Sequence, residues 1–144
     1  MQALIDAIKL KFQDSALYNA VGGRVYFDMA DTNEYPRVVY HIITSTPDDT
    51  FTENYDNTLI QFDLFAAKSA DTTEITTMYQ NLITLFSTTR PDGSTARSCQ
   101  ITLSTGEIIP IRHSNLVTLS EDFDEPLPDG TTGLSHFAVD FEVG

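Results

Sequence analysis

The sequence predicts an α+β fold: a mainly antiparallel sheet with two helices packed on one face. Three observations predict it. Thr58–Ala66 alternates with period two, so Ile60, Phe62, Leu64 and Ala66 share one wholly apolar face and Leu59, Gln61, Asp63 and Phe65 a mixed one. Ile75, Met78, Tyr79, Leu82, Ile83 and Phe86 then recur at helical spacing and form one stripe. Near the C-terminus, Leu134–Val143 alternates again, with Phe137, Val139, Phe141 and Val143 inward and His136, Asp140 and Glu142 outward. A strand followed at once by such a helix lays the helix stripe on the strand's apolar face. Helices gathered on one side of an antiparallel sheet make the fold α+β.

The elements follow in chain order. Gln2–Asp14 reads as a helix with Leu4, Ile5, Ile8 and Phe12 on one side; Leu10 lies off that stripe, flanked by Lys9 and Lys11, and is a candidate subunit contact. Ala16–Val21 extends this helix or forms a second short turn, stopped by Gly22-Gly23, which no GxGxxG or Walker pattern surrounds. Arg24–Met29 is a short strand with Val25, Phe27 and Met29 on one face. Arg37–Ser45 has apolar residues on both faces, as a central strand does. His41, in that strand, reads as a packed core residue rather than a ligand. Thr46–Asp56 is polar, with Phe51 and Tyr55 as its apolar anchors, and reads either as the long tip of a hairpin that reaches a neighbour or as a mobile solvated loop. The helix over Ile75–Phe86 starts at an Asp71/Glu74 capping box and stops at Arg90-Pro91-Asp92-Gly93. Ser98–Leu103 and Glu107–Arg112 form a hairpin around Ser104-Thr105-Gly106, and Pro110 makes the second arm an edge or bulged strand. Asn115–Leu119 adds a short strand, and Ser120–Gly130 is an acidic, Pro-rich loop without the ligand series of a calcium-binding hand.

Composition narrows function by exclusion. A chain of 144 residues reads as one domain over 1–144, and its size allows a real core. Eight basic against 21 acidic residues give a formal charge of -13, which disfavours nucleic-acid binding and anionic membranes. Cys99 alone cannot form an internal disulfide, fits a reducing compartment, and reads as structural. No apolar run spans a bilayer, and Met1–Ser15 is too mixed for a signal peptide, so synthesis and retention in a cytoplasm are expected. The three histidines have no partners at recognisable spacing, and there is no HExxH, no GxSxG elbow and no cysteine–histidine cluster. No catalytic residue, metal ligand or cofactor site is therefore expected. The outward face of the second helix, with Thr76, Thr77, Gln80, Asn81, Thr84 and Ser87, bears no formal charge and can approach another subunit without desolvating ions.

Three motifs carry a resemblance. They are Ala20-Val21-Gly22-Gly23-Arg24-Val25-Tyr26 after an N-terminal helix, Tyr35-Pro36-Arg37-Val38-Val39-Tyr40, and Gln61-Phe62-Asp63-Leu64-Phe65-Ala66 running into a helix. In these the chain resembles the tail-completion, or tail-terminator, proteins of long-tailed bacteriophages, well over Met1–Phe86 and in outline over Ser98–Val143. The resemblance implies two helices against a sheet and a homo-oligomeric ring, usually a hexamer, at the head-proximal end of the tail tube. There the ring ends tube growth and offers a surface to the neck or head. Its implied partners are further copies of itself, the tube protein and a connector or neck protein. It implies no catalysis and no cofactor, and a virion location after synthesis in the host cytoplasm. DNA would pass through the lumen without specific binding, which an acidic chain permits by repelling phosphates. The contact residues expected are Leu10, Phe51, Tyr55, Thr77, Gln80, Thr84, Asp122, Asp124 and Glu125. Other readings are a head-to-tail joining neck protein, a tail tube protein, and a small enzyme or ligand-binding domain with a deep pocket.

Overall fold

The computed structural model describes residues 2–30, 34–44, 58–68, 73–128 and 130–144. The expected Asp71 cap and the Thr46–Asp56 tip with Phe51 and Tyr55 lie outside them. Among the described residues, three helices and a mainly antiparallel six-stranded sheet form a mixed α+β fold. The helices are α1 (Gln2–Phe12), α2 (Ala16–Ala20) and α3 (Thr73–Leu85), and all three feed one core on one face of the sheet.

The N-terminal helices obey their local signals. Leu4, Ile8 and Phe12 are buried as the stripe of α1 requires, and Ala7 joins them. A break follows, and α2 starts where the Ser15 hydroxyl accepts the Tyr18 N–H at 3.1 Å. Gly22 and Gly23 then turn the chain through φ 61° and 78°, which side chains resist.

Strands β1 (Val25–Phe27), β2 (Arg37–Thr44) and β3 (Thr58–Ala67) come next, β1 parallel to β2 and β2 antiparallel to β3. The first is shorter than its apolar pattern suggests. Asp28 takes φ 63° and ends it, so Met29 leaves the expected inward face and is 78% exposed. The inward face of β3 (Ile60, Phe62, Leu64, Ala66) is wholly buried.

Helix α3 buries Ile75, Met78 and Leu82, with Phe86 just past its end. Arg90–Gly93 does not stop it. The helix ends at Leu85, and Arg90–Gly93 is instead the turn of a small hairpin, β4 (Thr88–Thr89) with β5 (Thr95–Ala96). The Arg90 N–H donates to Ser94 O at 2.8 Å and the Gly93 N–H to Arg90 O at 2.9 Å, so Pro and Gly serve a tight turn.

The C-terminal half departs further from expectation. Strand β6 (Ser98–Thr102) pairs with β7 (Ile108–Asp122), which continues through a bulge between His113 and Asn115. Asn115–Leu119 is therefore part of β7, not a strand of its own, and Ser120–Asp122 belong to that strand rather than to the acidic loop. Pro110 does not put β7 at an edge; β7 lies between β6 and β8 (Gly133–Val143). In an antiparallel strand the N and C=O of one residue point the same way. The Pro110 carbonyl accepts from Gly144, beyond the first ladder pair, Ile111 with Val143, so its missing N–H costs the ladder nothing. Gly133 opens β8 where a Cβ would lie 2.3 Å from Glu121 O. Only glycine lets the two strands close there.

Sheet order is β1-β2-β3-β8-β7-β6. Phe12, Phe62, Phe86 and Phe141 meet at its centre with ring centroids 5.1–6.1 Å apart. Four separate segments are thus joined in one aromatic cluster.

Candidate functional site

All three helices lie on one face of the sheet, and the register fixes what the opposite face displays. Reading across β2, β3, β8 and β7, one row is His41, Gln61, Asp140 and Asn115. The next is Val39, Asp63, Ala138 and Val117, and the third is Arg37, Phe65, His136 and Leu119.

Asp63 is the polar centre of this face and only 6% exposed. His136 Nε2 lies 2.8 Å from its Oδ1 and His41 Nε2 3.0 Å from its Oδ2, while Gln61 donates to both oxygens. Burial works to raise the Asp63 pKa. The hydrogen bonds from His136 and Gln61 and the charges of the two imidazoles outweigh it and hold the carboxyl below its ordinary value. His41 turns its other nitrogen to Asp28, 3.4 Å away, so only its imidazolium form has a donor for each carboxylate. On β8, burial raises the Asp140 pKa, helped by the charge of Asp63. The group ties β2, β3 and β8 together. Both Asp63 oxygens have partners within it. Among the described residues no three His, Cys, Asp or Glu side chains are grouped to hold a metal.

Sequence spacing missed this group. Asp63 stands on the mixed face of its strand, and the β2–β3 hairpin register sets His41 one pair away. His136, 73 residues further on, arrives only because β8 inserts beside β3.

Around the polar centre the same face exposes apolar side chains: Ile43 (47%), Val117 (44%) and Leu119 (50%). The Phe65 ring is half-buried, stacked on His136 with centroids 4.4 Å apart and covered by the Arg37 guanidinium at 5.1 Å.

The expected contact residues fall elsewhere. Leu10 is exposed on α1, and Thr77, Gln80 and Thr84 are exposed on α3. Asp122, at the end of β7, pairs with Lys68, while Asp124 and Glu125 are exposed in the β7–β8 connection. These residues stand on different elements: α1, α3, and the end of β7 with its connection to β8. His113, on the helix side, meets the Tyr79 hydroxyl at 3.0 Å and fastens α3 to β7. Burial raises the Cys99 pKa against the pull of Lys11, as in a structural thiol. A trough of about 780 Å³ lies at the β6 edge, lined in part by Thr88, Ser98, Gln100, Pro110 and Arg112.

No helix among the described residues is long and apolar enough to cross a membrane. No protein-family model matches the chain, and no curated protein matches it. A solved structure whose own name states no function shares the fold. It is 9% identical, covers 96% of this chain and 94% of its own, and aligns with a TM-score of 0.50.

Proposed function

We propose that the protein is a structural virion component. It forms a ring at the head-proximal end of a phage tail tube, ends tube polymerisation and gives the neck or head its docking surface. The observation that carries this reading is the helix-free face of the sheet. Val117 and Leu119 stay exposed there along β7, Phe65 is half-buried in the row of Leu119, and Ile43 is exposed at the far end of β2, on a chain whose net charge of -13 otherwise favours solvation. Apolar side chains left exposed on one sheet face of an acidic protein support a contact with another macromolecule. The uncharged outer side of α3, with Thr77, Gln80 and Thr84, offers a second approach without ion desolvation. The sequence resemblance supplies the setting in which both would be used. In this reading the protein works by shape, without catalysis or a cofactor, and DNA passes through the ring unbound.

The test is electron microscopy of polymerising tail tubes with and without the purified protein. The expected result is shorter tubes capped at one end by a ring. Tubes of unchanged length with bare ends would sink the reading, and a protein that joins heads to finished tubes without limiting their growth would favour a neck protein. Long tubes grown from the protein alone would identify a tube subunit.

A further inference from the structure

Strand β7 passes a basic corner of the molecule in its first half and ends at an acidic tip. In its first half, the His113 N–H donates to Arg97 O at 2.9 Å, which places Arg97 beside β7. Lys11 stands on α1, which packs against β6, and its charge acts on Cys99 of that strand. Arg90 sits in the turn of the adjoining β4–β5 hairpin. Among the described residues none of these three cations forms an ion pair, whereas Arg24, Lys68 and Arg112 do. Leu10, one residue before Lys11, is 65% exposed.

The other end of β7 has the opposite character. Nine residues beyond His113, roughly 30 Å at strand spacing, the strand ends at Glu121 and Asp122. Asp124 and Glu125 follow in the connection to β8. Apolar side chains are exposed there too: Leu119 at 50% and Leu127 at 38%. The tip is held in shape by the Phe123 N–H donating to Thr132 O at 2.8 Å and the Leu127 N–H to Thr131 O at 2.9 Å.

We infer that the acidic tip of one copy docks on the basic corner of the next, with Leu119 and Leu127 meeting Leu10 inside a rim of opposite charges. Copies of so acidic a chain repel one another, so the approach that brings its unpaired cations against acids is the favoured one. The two patches differ and lie roughly 30 Å apart along one strand. The contact is therefore head-to-tail, the kind that closes into a ring when the rotation between neighbours allows. This rests on the ring reading above and names the surfaces that would build the ring.

The experiment measures the mass of the full chain by light scattering across a concentration series. Wild type is expected to assemble, and raising salt from about 0.05 M to about 0.5 M is expected to weaken assembly, because rim charges are screened. Lys11→Glu with Arg97→Glu should raise the concentration for half-assembly about tenfold or more, and so should Asp124→Lys with Glu125→Lys. All four changes in one chain should restore assembly. Failure of restoration in a chain that melts as wild type does would overturn the inference, as would unchanged assembly in either reversal or a monomeric wild type at every concentration. The tube-capping result is read separately. Rings that ignore the charge reversals remove this interface and leave the ring reading standing, and tubes that grow uncapped remove the ring reading itself.

Discussion

The two faces of the sheet are built from alternate residues of the same strands, yet they are held by different physics. Phe62 points to the helices and meets Phe12, Phe86 and Phe141 in a dry aromatic cluster. Its neighbour Asp63 points the other way and gathers His41 and His136 around a buried carboxylate. The first face is stabilised by apolar area and close packing, which are insensitive to pH and nearly insensitive to salt. On the second, a few directional bonds hold the strands, and apolar side chains are left exposed beside them. One face secures the fold, and the other secures the strands while leaving surface for a partner.

Substitutions can break this contrast, and the largest effect belongs to the covered face. Phe62→Ala should cost about 3–5 kcal/mol, because four segments lose a shared contact. Urea unfolding at neutral pH measures it, and a cost below about 1 kcal/mol would mean the cluster is not the centre of the core. Asp63→Ala should cost less, about 2–4 kcal/mol, since it leaves two imidazoles and an amide without their acceptor. The same unfolding series decides the order of the two.

Acid titration sharpens the comparison. The folded Asp63 carboxyl lies below its ordinary value. A depressed carboxyl stabilises the fold above its unfolded value, near pH 4, and that contribution is lost as pH falls through the folded value. Between about pH 5 and pH 2 the stability of wild type should therefore fall more steeply than that of Asp63→Asn. Parallel curves would show that the carboxylate does not contribute in this way. Smallest in stability is Leu119→Ser, expected to lie within about 0.5 kcal/mol of wild type because the side chain is already half exposed. Its effect should appear in assembled mass instead, and a protein that assembles normally would exclude Leu119 from the contact.

What was legible in the sequence was what repeats locally. The faces of β3, the stripe of α3 and the alternation of β8 are period-two or period-3.6 patterns, and each took its expected form. Gly22-Gly23 was readable as punctuation for the same reason. Strand order was not legible, because apolar alternation says that a strand is covered and not which strand lies beside it. Of the two readings that Pro110 offered, the strand is bulged but not at an edge, because the rule for proline depends on where the neighbouring strand ends, and β8 ends one residue short of it. Arg90–Gly93 was a true turn signal assigned to the wrong element. The Asp63 group required both register and order, so its members looked unrelated along the chain.

The place of β8 also governs how the molecule comes into being. It is made after every other strand, yet it lies between β3 and β7. While the chain is being synthesised, β1, β2 and β3 can pair among themselves, and β6 with β7, but the two halves have no common ladder until residues 133–143 emerge. Both halves meanwhile hold an open edge, a template for misplaced pairing. A nascent chain thus has no finished sheet to offer a neighbour. Completion of the subunit and readiness to assemble coincide in one late event, the insertion of its central strand.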